Sequence, residues 1–217
     1  MRLFLPFSLL VLFVFTSFIP GKKTTGPPPP VSPLASYSPL WNETRYLECN
    51  TAAKAGYMTA SEKEVIYILN LVRMNPKLFA NTVVKKYPDS NGQGYLRNSG
   101  YYMSLLDTML GLKPIRLLYP DSLCFAGAQC HAIHSGAEGY VGHTRSAELC
   151  EKKWYYNGEC CDYGHKIPLD VIMSLLIDEG VISLGHRVIC LSDYKRIGVA
   201  IQPHKTYEYN AVMDFHY

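Results

Sequence analysis

The sequence carries little charge, and what it has is balanced over most of its length. Of its 217 residues, 18% are Asp, Glu, Lys or Arg and 48% are hydrophobic, which is typical of one medium-sized globular domain with extra segments. From Tyr46 onward, Lys and Arg together equal Asp and Glu in number. The domain therefore lacks the basic surface by which proteins bind nucleic acids or anionic membranes, and we expect no nucleic-acid partner.

The sequence also lacks any C-x-x-C pair, although it has seven cysteines. This absence argues against a zinc ribbon or a dithiol redox motif, and it favours disulfide bonds in an exported chain. Because the count is odd, at least one thiol remains unpaired. The adjacent residues Cys160 and Cys161 can both form bridges only if they bond to different parts of the chain. The pairing itself cannot be read from the sequence.

The N-terminal segment is typical of an export signal. Arg2 precedes an apolar stretch from Leu3 to Ile19, and this pattern predicts a signal peptide over residues 1–20. No small-x-small cleavage site follows, so an uncleaved membrane anchor is the alternative. We expect a secreted protein, or one tethered to the outer face of a membrane that it touches only through that anchor.

A proline-rich segment follows the signal. Residues 21–45 include four consecutive prolines from Pro27 to Pro30 among Ser and Thr, a composition that favours extended chain over a packed core. We interpret this segment as a linker and residues 46–217 as the domain.

Apolar periodicity in the domain predicts helices first and short strands last. This order is typical of an α+β domain in which helices cover a short antiparallel sheet. The predicted helices run from Thr59 to Pro76, Met103 to Leu110, Asp121 or Ser122 to about Gly136, and Pro168 to Gly180, and the predicted strands cover Ile197 to Ile201 and Tyr209 to Phe215, with Val188 to Leu191 as a further candidate.

Three separated fragments contain residues that could form one site. His143 follows Gly142, Glu159 lies in Gly158-Glu159, and His186 lies in Gly185-His186-Arg187. Imidazole and carboxylate are ligand types that suit Zn²⁺ and similar ions, and three protein ligands leave a coordination position open. Nothing in their spacing alone brings them together.

The order and surroundings of these fragments resemble the CAP superfamily (cysteine-rich secretory, antigen 5 and pathogenesis-related 1 proteins), especially its bacterial SCP-like extracellular branch. The helical phrase from Leu69 to Pro76 and the closing Val212-Met213-Asp214-Phe215 extend the resemblance over nearly all of Thr59 to Phe215. The chain departs from the pattern at Cys160, where an Asn usually follows the glutamate, and in having no Trp in the helix that begins at Pro168.

The resemblance implies an α-β-α sandwich with a central cleft that contains two histidines and two acids and can hold a divalent metal such as Zn²⁺. Matched residue by residue, the histidines are His143 and His186, and one acid is Glu159. The second acid is Asp178 or Glu179, and we favour Glu179 because its longer side chain reaches further from the end of a helix.

The implied function is a binding or effector role toward an extracellular lipid, sterol or protein ligand, with no catalytic residue assigned. The alternative is a metal-dependent peptidase or esterase that uses the same cleft, with Glu179 as general base. A Ser or Cys nucleophile at Ser135, Ser146 or Cys160 is a weaker enzyme hypothesis, because no nucleophile motif surrounds these residues.

A second histidine pair lies on the predicted helix that ends near Gly136. His131 and His134 are three residues apart, a spacing that can hold a metal ion. Such a pair more often lies on a surface or supports other ligands through hydrogen bonds.

Overall fold

A computed structural model describes residues 30–90, 92–145, 150 and 155–217 of the chain. The signal or anchor over residues 1–20 lies outside the described residues. Within the part that is described, no helix combines the length and apolar character needed to cross a lipid bilayer.

The folded unit begins at Val31 and ends at Tyr217, so the boundary predicted at residue 46 lies too far along the chain. Leu34 and Trp41 are completely buried, and Trp41 Nε1 donates to Thr82 Oγ1 at 3.1 Å. The proline content suggested a linker, but these two large apolar side chains bind the segment to the domain.

The described helices are mostly short, and four have ten or more residues. The α-helices are α1 Thr44–Leu47, α2 Ala60–Met74, α3 Pro76–Phe79, α4 Tyr87–Ser90, α5 Gly100–Gly111, α6 Ser122–Glu138, α7 Pro168–Ile177 and α8 Gly185–Cys190, with 3₁₀ turns at Pro39–Asn42 and Gly94–Asn98 and a π turn at Ala80–Val84. The four predicted helices are confirmed as α2, α5, α6 and α7. The strand considered at Val188 to Leu191 is wrong, because these residues lie in α8 and the turn after it.

The sheet contains four strands in the order β1-β3-β4-β2. The strands are β1 Tyr119–Pro120, β2 Gly158–Tyr163, β3 Arg196–His204 and β4 Glu208–His216. The two predicted strands are confirmed as β3 and β4, while β2 was not predicted. The sheet is mixed rather than purely antiparallel, because the two-residue β1 pairs with β3 in parallel.

Helices pack against this sheet to give the predicted α+β, α-β-α architecture. Helix α6 packs across β3 and β4, while α2 and α7 pack on each other and contact β3 and β2 respectively. Gly198 on β3 permits the close approach of α6, because a Cβ atom there would lie 1.9 Å from the backbone nitrogen of Phe125.

Helix α2 anchors two loops through buried polar side chains. Thr59 and Glu62 form a capping box at its start. Asn70, fully buried, donates to the carbonyls of Cys49 and Leu118 and accepts from Leu118 N at 2.8 Å. The segment from Leu69 to Pro76 therefore has a structural role, since Asn70 holds the chain that leads into β1.

Arg73 performs the same task for the chain after α8. Its guanidinium is buried and donates to four backbone carbonyl oxygens at 2.7–3.2 Å, those of Arg116, Cys190, Ser192 and Tyr194. The end of α8 is thus fixed to α2.

Replacing Arg73 by Met should lower the free energy of unfolding by about 3 kcal/mol, because buried carbonyls lose a charged donor. Urea denaturation would measure the loss. Lys77→Met, at an exposed position in α3, is the control and should change stability by less than about 0.5 kcal/mol. Equal stability of the two variants would contradict the anchoring role.

Candidate functional site

The site begins with β2, whose side chains alternate between two environments. Strand β2 pairs with β4, and Glu159 lies opposite Asp214. Glu159 and Cys161 both approach the imidazole of His143, whereas Cys160 contacts α8 on the other side. The alternation follows from the two-residue period of an extended strand.

His143 and Glu159 form a direct pair, with 2.8 Å between Nδ1 and Oε1. The Glu159 side chain is buried, while that of His143 is 54% exposed. The hydrogen bond that His143 donates to Glu159 raises the pKa of His143. Burial alone would raise the pKa of Glu159, but the His143 hydrogen bond and the Arg145 charge together lower it.

His186 is oriented in the same way by Asp178. The distance from His186 Nδ1 to Asp178 Oδ1 is 2.7 Å, and the other carboxylate oxygen accepts from the backbone N–H groups of His186 and Arg187 at 2.9 and 3.3 Å. Asp178 has a left-handed backbone (φ 57°) just after α7. This conformation directs its carboxylate to the first turn of α8.

This geometry corrects the choice of the second acid. Asp178 is buried and bonded to His186, whereas its neighbour Glu179 is exposed. The longer side chain that favoured Glu179 is not needed, because the turn after α7 brings the shorter carboxylate directly to the imidazole.

The buried Arg145 holds Glu159, the carboxylate that pairs with His143. Its buried guanidinium donates to Glu159 Oε2, to both carboxylate oxygens of Asp214 at 2.8 and 2.9 Å, and to the Gly127 carbonyl at 2.5 Å. Its Cζ atom lies 4.5 Å from the ring centroid of Tyr156. Both oxygens of Glu159 are therefore occupied, one by His143 and one by Arg145.

The two imidazoles lie side by side, with ring centroids 5.9 Å apart. An ionised carboxylate only accepts hydrogen bonds, so each Nδ1 carries the proton and each neutral ring leaves its Nε2 lone pair available. Glu159 and Asp178 are engaged in orienting the rings, so the imidazoles of His143 and His186 are the groups here that are left to offer a nitrogen to a divalent ion. This differs from the expectation that Glu159 is itself a ligand.

A cleft of about 280 Å³ opens beside His186. The cleft is also lined by His165, a third histidine that is paired with a carboxylate. Its Nδ1 atom lies 3.1 Å from both oxygens of Asp162. The predicted acid Glu179 borders the same cleft. The remaining polar and aromatic lining includes Tyr87, Gln93, Tyr95 and Tyr163.

A second set of possible metal ligands shares Glu159 with the His143 pair. One atom each of His131, Glu159 and Cys161 come within 4.8 Å of one another. Here, however, Arg145 already places a positive charge on Glu159, and His131 Nε2 bonds to the Gly142 carbonyl at 3.0 Å. We interpret His131 as a residue that positions the segment containing His143.

The second histidine of that predicted pair lies elsewhere. His134 is near Cys130 and Cys150, which form a disulfide. Because both sulfur atoms are committed to the bridge, the group does not offer three metal ligands while the bridge is intact.

The described residues that were considered as nucleophiles are either hydrogen-bonded to the backbone or held as protonated thiols. Ser135 Oγ donates to the His131 carbonyl at 2.6 Å. Burial raises the pKa of the Cys160 and Cys161 thiols well above the usual value, so both remain protonated near neutral pH. Ser146 lies outside the described residues.

No protein-family model matches this chain, and neither a curated protein nor a solved structure matches it.

Replacing Arg145 by Met should lower the free energy of unfolding at pH 7 by about 3–5 kcal/mol, because two buried carboxylates lose their shared cation. The deficit should shrink as the pH falls, since protonation removes the unpaired charge. Urea denaturation of both proteins from pH 7 to pH 4 tests this, and a deficit that does not change with pH would contradict it.

The His143–Glu159 pair predicts a specific pH dependence. Because the pKa of His143 is raised in the folded protein, its contribution to stability is complete below the ordinary histidine pKa of about 6.5 and is lost as the pH rises through the raised value. In an NMR titration, Glu159→Gln should lower the His143 midpoint, whereas the distant control Glu64→Gln should leave it unchanged. An unaltered midpoint in Glu159→Gln would show that the pair does not form.

Proposed function

We propose that the chain is an exported binding protein of CAP-like type that holds a divalent metal ion, such as Zn²⁺, between His143 and His186, beside the cleft that His186 lines. The single observation that carries the proposal is the matched arrangement of the two imidazoles, each with a carboxylate on Nδ1. The disulfide between Cys130 and Cys150 is compatible with an oxidising, extracellular location.

When bound, the ion would supply positive charge and open coordination positions for a ligand atom. The protein's own residues supply the rest. Asp178 and Glu159 fix the two ring orientations, and Arg145 fixes Glu159. Because both carboxylates are used in this way, neither is left to abstract a proton from a substrate.

The cleft favours a protein or peptide ligand over a lipid or sterol. Its volume of about 280 Å³ is at the low end for ligand pockets. Glu179 places an exposed carboxylate at its border, and tyrosines such as Tyr95 line it. Such a lining suits a polar or basic side chain better than an apolar ring system or acyl chain.

The alternative, a metal-dependent hydrolase, depends on Glu179. This exposed carboxylate borders the cleft that His186 lines, and it is in a position to act as a general base. Peptide or ester hydrolysis by the zinc-loaded protein, lost in Glu179→Gln, would favour the enzyme.

Zn²⁺ titration by calorimetry tests the metal site. The wild type should bind one ion, and His143→Ala/His186→Ala should not bind. Asp178→Asn should weaken binding by about 10–100-fold, because an orienting carboxylate is lost. Glu179→Gln is the matched control one residue away and should bind as the wild type does.

Circular dichroism must first show that each variant is folded. Equal binding by the wild type and the double histidine variant, or a larger loss in Glu179→Gln than in Asp178→Asn, would contradict the proposed site.

A further inference from the structure

Two buried thiols meet between β2 and α8. Cys160 lies in β2, and Cys190 is the last residue of α8. Their Sγ atoms are 4.0 Å apart, and both residues are completely inaccessible to solvent. A disulfide needs a sulfur–sulfur distance of about 2.05 Å, so the two sulfur atoms must approach each other by about 2 Å.

The backbone on both sides of this pair is firmly held. Strand β2 is paired with β4 along its whole length. At the other end, the Cys190 carbonyl accepts a 2.7 Å hydrogen bond from Arg73, and Cys160 Sγ lies 3.6 Å from the His186 carbonyl. The two cysteines are therefore neighbours because of the fold, and neither belongs to a mobile terminus.

The remaining thiols have other surroundings. Cys161 points to the opposite side of β2, toward His143 at 3.7 Å. Cys49 and Cys124 contact the backbone carbonyls of Arg45 and Tyr155. All seven cysteines lie in the described part of the chain, and there Cys160–Cys190 is the one thiol pair with its sulfur atoms in contact.

We propose that Cys160 and Cys190 form a second disulfide in the exported protein, in addition to Cys130–Cys150. The co-reactant is a disulfide-bearing thiol oxidant, either a protein or a small molecule. A thiolate of one cysteine attacks the oxidant to give a mixed disulfide, and the second thiolate displaces it. One Sγ–Sγ bond forms and the S–S bond of the oxidant breaks, and the two protons and two electrons lost by the cysteines convert the oxidant to two thiol groups.

The timing of this step follows from burial. In the folded protein both Cys160 and Cys190 are inaccessible to solvent, so an oxidant cannot reach either sulfur atom. The bridge therefore forms during folding, before α8 closes over β2. Once it is formed, the same burial shields it from reductants.

The bridge would join the two halves of the histidine pair. Glu159, next to Cys160, orients His143, whereas His186 lies in the same short helix as Cys190. A covalent link between β2 and α8 would limit the separation of the two imidazoles. The disulfide itself does not depend on the proposed metal site, so each can fail without the other.

The test counts thiols in the full chain after export or oxidative folding. The protein is denatured in guanidinium chloride without reductant, alkylated, and weighed intact by mass spectrometry. Five cysteines lie outside the Cys130–Cys150 bridge, so a second bridge leaves three alkylated thiols. Five alkylated thiols would overturn the proposal.

Two variants identify the partners. In Cys190→Ala the count should rise to four, because Cys160 is released. In the matched control Cys161→Ala, which removes the adjacent cysteine of β2, the count should fall to two. A count of four in Cys161→Ala would mean that Cys161 is the bridged residue, and the proposed pairing would then be wrong.

Discussion

The buried guanidinium of Arg145 is the interaction on which the site depends. It lies between the carboxylates of Glu159 and Asp214, on adjacent strands, and these two groups would repel each other without it. By fixing one oxygen of Glu159 it leaves the other oxygen to orient His143. A side chain with no access to the cleft thus determines which nitrogen of an exposed imidazole is available.

The second imidazole is oriented by different means. Asp178 satisfies the first backbone N–H groups of α8 and, with its other oxygen, holds His186. The Asp178 carboxylate therefore both accepts hydrogen bonds from the first turn of α8 and orients the His186 ring in that helix. Arg73 fixes the far end of the same helix from α2. Both ends of α8 are held, and the position of His186 follows from that.

The sequence predicted much of the helical fold because several helices have a clear start: a capping box in α2, an Asp121 cap in α6 and Pro168 in the first turn of α7. It did not predict β2, where Glu159, Cys160, Cys161 and Asp162 follow one another and no alternation of apolar and polar residues appears. The strand forms because β4 supplies a partner, which is a long-range effect. The start of the domain was placed too late, because the prolines suggested a linker. The sequence did not show that Trp41 in this segment is buried in the domain.

For the site, the resemblance implied His143, Glu159 and His186. In the structure Glu159 lies 2.8 Å from His143, and the rings of His143 and His186 are 5.9 Å apart. The resemblance could not choose between Asp178 and Glu179, since two adjacent acids differ in direction only once the backbone turns. Arg145 was not predicted, although it is two residues after His143. A signal was present in Asp214, an acid within the apolar run Ala211 to Phe215, because a buried carboxylate requires a partner.

The most direct test of the account is a crystal structure of the protein with Zn²⁺, with the ion located by anomalous scattering at the zinc edge. We expect one ion bound by Nε2 of His143 and Nε2 of His186, with Glu159 and Asp178 still on the two Nδ1 atoms. An ion bound instead at Cys161 or directly by the Glu159 carboxylate, with Arg145 displaced, would contradict it.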